Sequence, residues 1–168
     1  MQENDIDSKT ISNAEHSKCS VISNSELMPS VFLMWLEAAG IANKAKPGQF
    51  IMIQCGGDTL LRRPLSIHRT EESKLAVLYA RLGSGTQWLS TQKEHTSIDI
   101  LGPLGNGYTV RDEDKNLLLV AGGMGIAPLT FLADTAVSQG KNVTLLLGAQ
   151  KAAMVYPDKL LTNGIKCI

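Results

Sequence analysis

Three short segments of this chain carry residue types suited to holding phosphates and flat rings. Arg63-Pro64-Leu65-Ser66 comes first, Gly83-Ser84-Gly85-Thr86 second, and Ala121-Gly122-Gly123-Met124-Gly125-Ile126-Ala127-Pro128 third. Proline fixes its own backbone torsion and drives its predecessor away from helix, so Arg63 enters a rigid, extended stretch. A guanidinium held there can meet a phosphate bidentately. Ser66 can offer a hydroxyl or a backbone amide to a ring lying beside the strand. Taken alone the tetrad is also what a surface arginine ahead of a strand looks like.

The second segment opens a short helix, where outward-pointing amides and the helix dipole favour an anion and Thr86 adds a hydroxyl. A turn closed by a threonine cap is the competing reading. In the third segment the glycines lie between a buried strand and an amphipathic helix, the setting a dinucleotide-binding turn requires. Pro128 stands where that fingerprint usually has its third glycine, so the pattern is a variant. Two nucleotide cradles in one chain point to electron transfer. No Ser-His-Asp or Cys-His arrangement accompanies them, and His16, His68 and His95 are scattered, as surface or structural histidines are. Hydride transfer between cofactors needs no general base, so their isolation fits. Cys19, Cys55 and Cys167 lack metal-ligand spacing and read as buried, reduced thiols, with no metal site.

The elements that must position these segments change character along the chain. From residue 17 to 110 short strands alternate with turns: Lys18–Ser23, Val31–Ala38, Gln49–Gln54, Leu65–Arg69, Leu75–Leu82 and Ser97–Leu101. This spacing predicts a six-stranded antiparallel barrel, with a short helix over Gly83–Thr91 before its last strand. From 111 to 168 the pattern becomes that of a parallel α/β sheet. Leu117–Val120 is a continuous apolar run, Leu129 to Val137 form a helical stripe ending at Gly140, and Val143–Leu147 repeats the buried strand. A second helix over Ala152–Leu161 and a third strand opening at Ile165 are expected next. Such a lobe is an incomplete parallel sheet, expected to expose Leu145, Leu147 and Ile165 at an open edge.

Residues 1–16 read as a polar tail without the apolar core of a secretory signal, which predicts a cytoplasmic protein. Sixteen basic and sixteen acidic side chains cancel, so neither nucleic acid nor an anionic membrane is indicated as a partner. The uncharged stretch Asn116–Ala133 is interrupted by glycines and Pro128, which excludes one continuous membrane helix.

Taken in order, Arg63–Ile67, Leu78-Tyr79-Ala80, Gly83–Thr86, Gly102-Pro103-Leu104-Gly105-Asn106-Gly107-Tyr108 and Ala121–Pro128 resemble the ferredoxin-NADP reductase superfamily, and within it the family of dihydroorotate dehydrogenase electron transfer subunits. The resemblance covers about Ser17 to Ile168. It implies an FAD-binding barrel followed by part of a nicotinamide-nucleotide domain taking NAD(H) or NADP(H). It places Arg63, Pro64, Leu65 and Ser66 along the flavin and its pyrophosphate, Leu78, Tyr79 and Ala80 on the strand beside the flavin, and Gly85 and Thr86 on the pyrophosphate helix. Gly122, Gly123, Gly125 and Pro128 fall on the loop under the nicotinamide nucleotide. Ala80 departs from the arginine often found after the aromatic residue. The implied partner is the FMN-containing catalytic subunit of dihydroorotate dehydrogenase, acting in pyrimidine biosynthesis. The family also holds a 2Fe-2S cluster on four cysteines; those are absent here, so the cluster belongs only to a longer chain. Flavin subunits of hydrogenase, sulfite reductase or ferredoxin-NADP transhydrogenase share these motifs, and a shortened, non-catalytic flavin-binding assembly module is a third reading.

Overall fold

The computed structural model describes residues 14–56 and 61–168; residues 1–13 of the expected polar tail lie outside these, while Glu15 and His16, assigned to the tail, instead open the first barrel strand. Six strands close an antiparallel barrel in the order β1-β2-β5-β4-β3-β6. They are β1 (Glu15–Met28), β2 (Val31–Glu37), β3 (Phe50–Ile53), β4 (Arg63–Glu71), β5 (Lys74–Ala80) and β6 (Ser97–Leu104). Strand alternation fills the barrel: Val21, Met34, Leu36, Ile51, Ile53, Ile67, Leu75, Val77, Ile98 and Ile100 all point inward and are essentially inaccessible. Closure leaves no free barrel edge. Helix α1 (Ala39–Ala42) follows β2, and α2 (Ser84–Ser90) spans the gap between β5 and β6.

β1 is longer than its apolar pattern suggests. Its polar Ser and Asn residues are carried by pairing on both sides, with β6 over Glu15–Ser20 and with β2 over Ser20–Met28. Here tertiary pairing overrides weak strand propensity.

The second lobe is a three-stranded parallel sheet in the order β7 (Asn116–Gly122), β8 (Asn142–Gly148) and β9 (Ile165–Cys167), with α3 (Ile126–Ser138) crossing between the first two. Gly140, at φ +75°, takes the left-handed turn that ends α3. The expected helix over Ala152–Leu161 does not form. Two single 3₁₀ turns, Ala152–Met154 and Asp158–Leu160, stand there instead. Pro157 between them lacks the N–H a continuous helix needs and keeps Tyr156 out of helical geometry.

α3 is shared between the lobes. Its Phe131 joins the barrel cluster, while Ile126, Ala127, Leu132, Ala133 and Ala136 pack on Leu119, Ala121, Val143 and Leu145 of the sheet together with Met28, Val31 and Leu78 of the barrel. The expectation that Leu145, Leu147 and Ile165 are exposed is corrected by this packing. They lie on the face covered by α3, and Leu145 is fully buried. Alternation sends Leu118, Val120 and Leu146 to the opposite, uncovered face. No helix among the described residues is long and apolar enough to cross a membrane.

Candidate functional site

The three sequence segments converge on two neighbouring cavities. The first, of about 490 Å³, is lined by Arg63, Pro64, Leu65 and Ser66 of β4, Leu78, Tyr79 and Ala80 of β5, and Gly85 and Thr86 of α2, closed on one side by Met124 and Ala127. This size suits a cofactor. The strands bring the segments together by register: Arg63 and Ser66 are held against Ile53 and Phe50 of β3, while β5 runs beside β4 and delivers the chain directly into α2.

Arg63 crosses the start of α2. A Cβ on Gly85 would lie 2.8 Å from Arg63 Nε and 3.3 Å from its Cγ, so the missing side chain at Gly85 is what admits the guanidinium. No carboxylate among the described residues pairs with Arg63, whereas Arg62 and Arg69 have Asp99 and Asp134. A cation over the first turn of a helix, facing no carboxylate among the described residues, makes this end of the cavity electropositive. The Thr86 hydroxyl accepts from the Leu82 and Gly83 amides at 2.9 and 3.2 Å, so it shapes the turn from inside. The helix amides that follow have no acceptor within the helix.

Along β5 the side chains divide. Leu78 and Ala80 face away from the barrel interior and join the second cluster. Tyr79 borders the cavity, yet its ring belongs to the barrel core, stacked on Phe32 at 5.7 Å, and its hydroxyl donates to Asn24 Oδ1 at 2.9 Å. Burial pushes that phenol's pKa well up, so it stays protonated. Asn24 in turn donates to the Leu89 and Gln92 carbonyls, tying the end of α2 to the barrel wall. Burial also raises the Cys55 thiol, with Arg63 pulling the other way, which leaves a protonated sulfur rather than a nucleophile.

The second cavity, about 530 Å³, lies between the barrel rim and the carboxyl ends of β7 and β8, where α/β sheets bind ligands. Gly122, Gly123 and Met124 form one wall, Gly148, Ala149 and Gln150 another, and Met28, Val31, Met154 and Ala80 complete it. Gly123 holds φ +51°, the left-handed value that turns the chain out of β7. Apart from the adjoining residues and backbone, no heavy atom of the described residues lies within 4 Å of a Cβ built on Gly122, Gly123 or Gly125, so the turn is an open cradle. Gly125 and Pro128 line neither cavity; they begin α3 behind it. Sequence reading missed Met28, Met124, Met154 and Gln150. Met124 lies inside the glycine motif and could have been found there; the others are brought in only by the packing of distant elements.

Ala80 and Met124 border both cavities. The two cavities therefore meet at two side chains, one from each lobe. Among the described residues no group of three His, Cys, Asp or Glu side chains converges as a metal site.

The chain is 43% identical over 128 residues to the electron transfer subunit of dihydroorotate dehydrogenase B (NAD+) of Caldanaerobacter subterraneus subsp. tengcongensis, covering 76% of this chain and 51% of that protein. The corresponding subunit of Bacillus velezensis is 39% identical over 145 residues, covering 83% of this chain and 57% of its own length. This chain is homologous to those subunits. It spans about half the length of the curated relatives it matches. No family model matches it. Among solved structures, an NADH-dependent reduced ferredoxin-NADP oxidoreductase superimposes with a TM-score of 0.81 at 29% identity, over 90% of this chain and 56% of that one. The ferredoxin reductase of carbazole 1,9a-dioxygenase gives 0.80 at 16% identity over 92% and 50%, a likeness of fold alone. The barrel with its parallel lobe is thus the ferredoxin-NADP reductase arrangement, and the chain is related to oxidoreductase components of that kind.

Proposed function

We propose that this chain is the flavin-bearing part of an electron transfer subunit: it holds FAD in the first cavity, a nicotinamide nucleotide in the second, and delivers the electrons to a dihydroorotate dehydrogenase catalytic subunit that carries FMN. The observation that carries this reading is that the two cavities adjoin, with Ala80 and Met124 lining both, so that rings held in them would lie close together. FAD supplies the redox chemistry when bound, accepting a hydride and releasing electrons singly or in pairs.

The chain's own residues do the binding and aligning. Arg63 meets pyrophosphate charge at the start of α2, and Ser66 and the β4 backbone border the ring. Leu65, Leu78 and Ala80 supply apolar walls that exclude water. Gly122 and Gly123 let a second pyrophosphate approach the end of β7, and Met124 closes over the junction. NADH is the expected donor, in keeping with the NAD+ in the name of the relatives. Any iron–sulfur cluster in the relay would be held outside these 168 residues, which contain three cysteines and not four.

The test is anaerobic addition of NADH to the FAD-loaded chain. Loss of the visible flavin absorbance is expected, and its return on adding the FMN-loaded catalytic subunit and orotate is expected once the residues that hold the cluster are supplied as well. A chain that binds FAD but is not bleached overturns the nicotinamide assignment. One bleached by NADH but reoxidised only by ferredoxin favours service to a different acceptor.

A further inference from the structure

Two consecutive residues of β4, His68 and Arg69, both reach the α/β lobe, which plain strand alternation forbids. The cause is a β-bulge: Ile67 pairs with Val77 but Arg69 with Ala76, so His68 is the extra residue. A bulge re-aims a side chain. It lies two residues beyond Ser66 on the same strand, so the re-aimed ring is continuous along β4 with a wall of the first cavity.

His68 is fully buried and held at both nitrogens. Its Nδ1–H donates to the Ala127 carbonyl at 2.9 Å, because a carbonyl can only accept; Nε2 then accepts from the Tyr156 hydroxyl at 3.0 Å. Burial lowers its pKa to about 4, which keeps this neutral tautomer in place at ordinary pH. Ala127 lies in the first turn of α3 and lines the first cavity, and Met124, three residues earlier, lines both cavities. Arg69 grips a different part of the lobe. Its Nε donates to Asp134 Oδ2 at 2.6 Å, well along α3 from the first turn, and its Nη2 to the carbonyl of Leu160 in the second 3₁₀ turn at 2.7 Å.

We propose that His68 is a positioning residue for hydride transfer, holding the first turn of α3, and with it Met124, at a set distance from the flavin wall on β4. This rests on the cofactor assignment of the preceding section. When both are bound, the cofactors would supply the chemistry, a hydride with its electron pair leaving the reduced nicotinamide for the flavin ring, and the chain's residues would only hold the two rings in place. Hydride transfer needs the reacting atoms about 3–3.5 Å apart, and a displacement of about 1 Å can cost on the order of a hundredfold in rate.

The experiment compares FAD-loaded wild type with His68→Leu, His68→Asn, His68→Gln and Arg69→Ala. In Asn the side-chain amide takes the place of Nδ1 and still donates to Ala127; in Gln it reaches towards Tyr156 instead. At saturating NADH, rapid mixing should show flavin reduction slowed about ten- to a hundredfold in the Leu and Gln variants, but within about threefold of wild type in Asn. Affinities for FAD and NADH should stay within about twofold, so the loss appears in the limiting rate and not in the half-saturating concentration. The visible difference spectrum that NAD+ produces beside oxidised flavin should change in Leu and Gln and persist in Asn. Arg69→Ala should lower the melting temperature and leave both readouts alone. Unchanged rates and spectra in Leu and Gln overturn the proposal, as does equal slowing by Arg69→Ala. Should His68→Leu fail to fold, equal rates in Asn and Gln overturn it. A wild type not bleached by NADH overturns the functional reading itself, and this one with it; a bleached wild type beside equally fast variants overturns only the role of His68.

Discussion

At the scale of single residues, the electropositive end of the first cavity depends on Arg63, which has no carboxylate partner among the described residues and reaches across Gly85. Arg63→Ala is therefore expected to weaken FAD binding by about 1.5–3 kcal/mol, the range for hydrogen bonds to charged groups, or roughly ten- to a hundredfold in Kd. Arg63→Lys should recover only part of this, since a point charge cannot grip two phosphate oxygens at once. Fluorescence titration of the apoprotein with FAD measures both; unchanged affinity in the alanine variant would remove Arg63 from the site. His68 carries a pH prediction. Its pKa falls from 6.5 in the unfolded chain to about 4 when folded, because burial disfavours the cation. Between those values the unfolded state binds the extra proton, so stability rises with pH, is complete above about 6.5 and is lost as pH falls towards 4. The loss amounts to about 3 kcal/mol over that window. Urea midpoints at pH 7 and pH 4.5 should draw closer together in His68→Asn than in wild type. An equal acid loss in both would mean that other groups carry it.

At the scale of elements, what could be read in the sequence was what local pattern controls. The barrel strands announced themselves as six short segments spaced by turns, and β7, α3 and β8 through apolar runs and a helical stripe ending at glycine. Arg63–Ser66, Leu78–Ala80, Gly85 and Thr86 were legible as a set, and they line one cavity. Three things were not legible, each for a physical reason. Ala152–Leu161 has helical composition, but Pro157 splits it into two turns. The polar length of β1 is sustained by partners on two sides. The bulge at His68 leaves no composition signal, because only the mismatch between two strands creates it. The open glycine turn yields a paired prediction. Gly122 sits at φ −110°, ψ 124°, an ordinary strand conformation, with free space beside it. Gly122→Val should therefore fold and keep FAD while losing reduction by NADH, as the new side chain fills the second cavity. Gly123 sits at φ +51°, so Gly123→Val adds backbone strain of about 1–2 kcal/mol to the same loss. Thermal melts beside NADH titrations separate the two, and a Gly122→Val chain reduced as fast as wild type would exclude a nucleotide from that turn.

At the scale of the whole molecule, the uncovered face of the sheet and the joint between the lobes have opposite effects. Leu118, Val120 and Leu146 are 68%, 62% and 43% exposed on one sheet face, an apolar patch of the kind that favours association. The isolated 168-residue chain should self-associate in sedimentation velocity as its concentration rises, and Leu118→Lys with Val120→Lys should suppress this without altering flavin content. Association unaffected by the two lysines would place the contact elsewhere. The joint predicts how the molecule comes apart. Met28, Val31 and Leu78 of the barrel share one cluster with the sheet, Phe131 of α3 enters the barrel cluster, and His68 and Arg69 add hydrogen bonds across the same seam. Removing the α/β lobe would expose barrel residues that the barrel cannot cover itself, so the two should unfold in one cooperative transition. FAD sharpens the test, because its proposed cavity is walled by β4, β5 and α2 on one side and by Met124 and Ala127 on the other. Free FAD at about a hundred times Kd adds about 2.7 kcal/mol to the folded state. That stabilisation should move the single calorimetric transition upward as a whole. Two resolved transitions, with only the barrel's shifting on FAD, would show that the lobes fold independently and that α3 contributes nothing to the flavin site.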